Sequence, residues 1–121
     1  MVEELNPEVA MKAGALRLRV YMGERARSGG HPLHEAIVHK AREIGLAGAT
    51  VFRAAIGYGH SSRLRTSKIL SLSEDLPLVV EIVDSEAKIQ AFLPELDGMS
   101  INGLITLDPV QVHHYGSAAR A

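Results

Sequence analysis

At 121 residues the chain is sized for one domain, and a domain of this length buries roughly two thirds of the surface that its unfolded chain exposes. With 13 basic and 14 acidic residues the formal net charge is -1, so no broad positive field is available for a polyanion, which argues against generic nucleic-acid binding. The absence of cysteine removes disulfides, thiol catalysis and thiolate metal sites, and fits a reducing compartment. The acidic start, Met1-Val2-Glu3-Glu4, is unlike a secretory signal, and no apolar run approaches the roughly 18 residues of a membrane span. A cytoplasmic location is expected.

Residues 1–14 read as an extension. From Ala15 to Met22 apolar and polar residues alternate: Leu16, Leu18, Val20 and Met22 fall on one side, and Arg17, Arg19 and Tyr21 on the other. That is the period of a half-buried strand. A polar, glycine-ended loop over 24–30 follows, and Pro32 suits the first position of a helix, where a missing amide hydrogen costs nothing. Leu33, Ile37, Ala41 and Ile44 repeat at helical spacing, and Gly45 supplies the left-handed residue that closes many helices.

Thr50 to Ile56 reads as the second strand, and 57–71 as one long polar loop bearing Arg63, Arg65 and Lys68. Leu76 to Val83 is the third strand. Ser85 is placed to cap a second helix whose buried stripe is Ile89, Phe92, Leu93 and Leu96. Pro94 should kink or stop that helix, because it has no amide hydrogen for the carbonyl four residues back. Ile101 to Leu107 is the fourth strand, Val110 to Tyr115 suggests a short extra one, and 116–121 reads as a flexible tail.

The order β-α-β-β-α-β predicts an α+β fold: a ferredoxin-like antiparallel sheet with two helices on one face, in which right-handed crossovers put strand three between strands one and two. The opposite face is left open. It should carry Arg17, Arg19 and Tyr21 beside Glu81, with opposite charges pairing across the ladder.

The loop from Gly57 combines glycines, hydroxyl donors and three cations, the ingredients of an anion site. It is neither a Walker loop nor a GxGxxG turn. A solvated hairpin is the plainer reading, but connections this long tend to be functional or disordered, and 57–71 should be mobile until a ligand orders it.

Six histidines raise the question of a metal. His113 and His114 are adjacent and diverge on an extended segment, while His31 lies at a helix boundary three residues from His34, so no metal site is expected. His39 and His60 stand apart. Ser73, His60 and Asp75 contain the residue types of a catalytic triad, yet no nucleophile elbow accompanies them, and Ser73-Glu74-Asp75-Leu76-Pro77 reads as a turn entering a strand. No catalytic residues are assigned, and the chain is not expected to be an enzyme.

The run EIGLAGATV over 43–51, followed by Gly57-Tyr58-Gly59, resembles the helix–strand–loop unit of PII-type signalling proteins. With PLHEAI, LSEDLP and FLPELD, the chain is similar to the PII-like family called domain of unknown function 190. The resemblance covers most of Leu16 to Tyr115 and implies a PII-like domain over 15–115. It further implies a homotrimer, and a ligand, either an adenine nucleotide or another small anion, in clefts between subunits. Gly57, Tyr58 and Gly59 match the base of the PII T-loop, which engages a partner protein such as a membrane transporter or enzyme. Arg63, Arg65 and Lys68 would supply charge to that ligand. The chain departs from PII at Gly98-Met99-Ser100-Ile101-Asn102-Gly103, where PII has a GDGK-like turn whose lysine grips phosphates.

Overall fold

The computed structural model describes residues 6–66 and 75–117. A short helix comes first, α1 (Pro7–Ala13), in the segment read as an extension: the Asn6 side chain accepts from the Glu8 amide at 2.9 Å and Pro7 occupies the first turn, both favourable at a helix start. Strand β1 (Ala15–Gly23) follows. A two-residue hairpin, β2 (Arg27–Ser28) with β3 (His31–Pro32), leads into α2 (Leu33–Glu43). Pro32 pairs with Arg27 and caps α2 rather than opening it. Leu33, Ile37 and Ala41 are buried as their spacing demands. Ile44, expected on the same stripe, has left the helix and is exposed, while Gly45 at φ +85° turns the chain away.

Strand β4 (Thr50–Arg53) is shorter than the expected 50–56, and Ile56–Gly57 forms a separate strand, β5, paired with β6 (Arg65–Thr66). The part of the long loop described here is therefore a hairpin; Lys68, Ser73 and the rest of 67–74 lie outside the described residues. Strand β7 (Pro77–Ser85) leads into α3 (Glu86–Gly98), where Ser85 accepts from the Lys88 amide at 3.4 Å. Pro94 lies within α3, which continues four residues beyond it, so the early stop does not occur. Strand β8 (Leu104–Val110) runs later than the expected 101–107 and already contains Val110; no strand follows it over 111–117.

The main sheet has the order β4-β7-β1-β8, every neighbour antiparallel. The third long strand does lie between the first and second. Leu18, Val20, Met22, Leu78, Val80 and Ile82 meet Leu33, Ile37, Ala41, Ile89, Phe92 and Leu96 from α2 and α3 in the core. Phe92 heads this core, and full burial of a side chain of its class stabilises the fold by about 1.5–3 kcal/mol. Buried Asp84 ties the α2–β4 connection to the sheet by accepting from the amides of Ala47 at 2.9 Å and Ser85 at 2.6 Å.

On the opposite face the register aligns side chains in rows across four strands. Phe52, Val79, Tyr21 and Leu104 form an apolar row; Thr50, Glu81, Arg19 and Thr106 form the polar row beside it. Arg19 pairs with Glu81 at 3.3 Å, the cross-ladder pairing expected of this face, and Arg17 makes a two-pronged pair with Asp108 at 2.7 and 3.2 Å. That pair holds the Arg17 guanidinium still more firmly in its charged form. This face is only partly open, because Met11 of α1 and the segment after β8 lie over the end that carries Arg17 and Val83.

Candidate functional site

Beyond Arg53 the chain stays tied to the sheet through the Ala54 amide, which donates to the Pro77 carbonyl at 2.8 Å. It then leaves as the β5–β6 hairpin. Gly57 packs closely here, since a Cβ would lie 3.2 Å from Pro77 Cγ, closer than ordinary van der Waals contact; Gly59 meets no such neighbour. The apex turns at Ser62, φ +60°, whose amide donates to the Gly59 carbonyl at 2.9 Å. Ile56, Tyr58 and Leu64 project from this hairpin, Tyr58 with 72% of its surface exposed.

Two of the three sequence-predicted cations, Arg63 and Arg65, gather on one carboxylate. Asp75, whose side chain is 9% exposed, receives Arg65 Nε at 3.1 Å and has the Arg63 guanidinium at 3.8 Å. Its second oxygen accepts from the Arg25 backbone amide at 3.1 Å. Burial pushes the Asp75 carboxyl up, but the Arg25 amide and the guanidiniums of Arg65 and Arg63 outweigh it and hold the group below the usual aspartate range. Gly23 makes this packing feasible: a Cβ there would lie 2.9 Å from Arg65 Nε and 3.0 Å from Asp75 Oδ1. Arg53 pairs with Glu24 in the turn just after β1. Among the described residues, three guanidiniums, from Arg53, Arg63 and Arg65, thus pair with two carboxylates, Glu24 and Asp75.

Of the residues read as ligand-binding, the structure joins Gly57 and Arg65 in the hairpin ladder and brings Arg63 and Arg65 to Asp75. Tyr58 and Gly59 stand at the exposed apex, and Lys68 lies outside the described residues. Sequence reasoning weighed Asp75 as a triad member and read it as a turn residue, but missed it as the partner of the arginines; the signal for that was an acid directly ahead of a strand and close to three cations. Among the described residues no three histidine, aspartate or glutamate side chains gather as metal ligands, and no helix is long and apolar enough to cross a membrane.

The family model DUF190, described as "Uncharacterized ACR", matches residues 15–112. The chain belongs to the DUF190 family. Among its relatives, a UPF0166 protein of Aquifex aeolicus is 46% identical over 95 residues, covering 78% of this chain and 90% of the relative. A UPF0166 protein of Methanocaldococcus jannaschii is 32% identical over 97 residues, covering 79% and 89%. A second Aquifex aeolicus UPF0166 protein is 33% identical over 78 residues, covering 64% and 81%. The DUF190 match spans β1 through β8, so it includes the hairpin, Asp75 and the whole four-stranded sheet.

Proposed function

We propose that this DUF190 protein is a PII-like, non-enzymatic regulatory module of the cytoplasm. It works as a homotrimer of ferredoxin-like domains, binds an adenine nucleotide or other small anion at subunit clefts, and meets a partner protein, such as a transporter or enzyme, through the 57–71 segment. The observation that carries this reading is the β5–β6 hairpin. It leaves the edge of a four-stranded antiparallel sheet, bears the exposed Ile56, Tyr58 and Leu64, and rests on the Arg63–Arg65–Asp75 cluster. Exposed apolar side chains at both sheet edges, Phe52 on β4 and Leu104 and Leu107 on β8, support association between copies. A ligand that binds better when the hairpin is ordered shifts the hairpin population, and the partner reads the shift by linkage.

One observation favours a second reading, a ligand-independent oligomeric scaffold: Asp75 already neutralises part of the charge that Arg63 and Arg65 would offer to a phosphate. Light scattering joined to a thermal-shift series with ATP, ADP and AMP separates the two. The regulatory reading expects a trimer whose melting temperature rises with nucleotide, and a smaller rise in Arg65→Ala. A trimer indifferent to every nucleotide supports the scaffold, and a strict monomer at micromolar concentration overturns both.

A further inference from the structure

Beyond β8 the chain does not run free but returns across the partly open sheet face to α1. Glu8 Oε2 accepts from the Tyr115 amide at 2.7 Å and lies 3.1 Å from His114 Nδ1. The Tyr115 hydroxyl donates to the Ala47 carbonyl at 3.0 Å, fixing the segment at its far side. Beside it is an open groove of about 650 Å³ lined by Met11, Arg17, Glu81, Val83 and segment 110–115. Tyr115 also lines a second cavity of about 210 Å³, shared with Glu81 and Val83. The segment therefore straps α1 to the α2–β4 connection along the rim of both.

His114 is held between two acceptors. Its Nδ1 faces the Glu8 carboxylate, and its Nε2 lies 2.9 Å from the Gly116 carbonyl oxygen, which the turn at Gly116, φ +102°, brings back toward the ring. A neutral imidazole carries one N–H and satisfies one of these oxygens; the other then faces a lone pair. Only the doubly protonated ring donates to both. We propose that segment 111–115 is a proton-dependent strap, docked against α1 beside the sheet-face groove when His114 is protonated and loosened when it is neutral.

The charged and titratable neighbours agree with that direction. On α1, Glu8 faces the ring and Lys12 lies near Glu8; on the sheet, Arg17 and Glu81 line the groove, and His113 precedes the ring on the strap itself. Glu8 remains an anion near neutral pH: the Tyr115 amide, then Lys12 and His114, outweigh burial and hold its carboxyl below the usual glutamate range. By the linkage sign, Glu8 weakens the strap only as pH falls through its lowered pKa.

The Tyr115 amide reports docking directly, because Glu8 is its acceptor. Its hydrogen-exchange protection factor, corrected for intrinsic exchange, is measured in the full chain from about pH 5 to about pH 8, spanning the ordinary imidazole value of about 6.5. His114 is followed in parallel by NMR of its ring protons. Loss of one hydrogen bond corresponds to a drop in protection of about 3- to 10-fold. His114→Gln, which cannot titrate, should show no such drop, and Glu8→Gln should show reduced protection at the acid end. Protection that stays level while the His114 ring titrates overturns the proposal, as does an equal drop in His114→Gln or full acid-end protection in Glu8→Gln.

Discussion

Replacing Asp75 with Asn asks whether the arginines of the hairpin are held for structure or kept for a ligand. Asn preserves an oxygen for the Arg25 amide but removes the charge that Arg65 contacts at 3.1 Å and Arg63 approaches at 3.8 Å. A hydrogen bond to a charged group contributes about 1.5–3 kcal/mol, whereas a long pair to an arginine as exposed as Arg63 adds about 0–1 kcal/mol. Asp75→Asn should therefore cost about 1.5–3 kcal/mol, or a fall in melting temperature of roughly 5–15 °C for a domain between the two size classes for which such slopes are known. Urea titration at several pH values checks the origin of the loss. Because the folded-state pKa of Asp75 is depressed, its contribution is complete above the unfolded aspartate value of about 3.9 and disappears as pH falls through the folded value. The gap between wild type and variant should be constant at neutral pH and close in acid. A gap below about 0.5 kcal/mol at neutral pH, or one that persists undiminished in acid, would refute the assignment of Asp75 as the electrostatic anchor. The same variant releases Arg63 and Arg65, so a nucleotide-induced thermal shift should grow relative to wild type if those guanidiniums meet the ligand.

Two further expectations concern the framework. A Cβ at Gly103 would press on the Tyr21 carbonyl oxygen, far inside van der Waals contact with backbone that cannot move aside; Gly103→Ala should destabilise by more than about 2 kcal/mol, measured by chemical denaturation, and leave Gly59→Ala near neutral by comparison. Pro94 is exposed inside α3 and leaves the Gln90 carbonyl without its helical donor; Pro94→Ala should raise stability by up to about 3 kcal/mol, seen as an increase in melting temperature.

The parts of this fold that could be read from the sequence are those in which one periodicity dominates. Arg17, Arg19 and Tyr21 alternate with Leu18, Val20 and Met22 over the whole of β1, so a single pattern gave both the strand and its two faces, and handedness then placed the third long strand beside it. Ser85 announced its helix through a local bond that needs no tertiary partner. Short elements left no such trace. Helix α1 has seven residues and one buried side chain, Met11, too little for a period to emerge. The last strand was expected to end at Leu107, yet β8 runs on through Pro109, which lies on an edge strand where a missing amide hydrogen is tolerated. Pro94 is tolerated in α3 because Phe92 and Leu96 on either side of it are anchored in the core. At the site, glycines and cations were visible as residue types, but the anchor at Asp75 depends on an amide 50 positions upstream, which no local window contains.

The central position of β1 sets a timetable for the chain as it emerges from the ribosome. Both neighbours of this early strand come from far downstream, as the ion pairs across it record: Arg19 meets Glu81 62 positions later, and Arg17 meets Asp108 91 positions later. Until β7 has been made, the nascent β1 has neither lateral partner, and its apolar face must be sheltered by α2 alone or by whatever holds unfinished chains. Contacts of such long range are slow to close. Translation halted before β8 would release a product whose most central strand is an unguarded edge, ready to pair with another molecule's strand instead of its own.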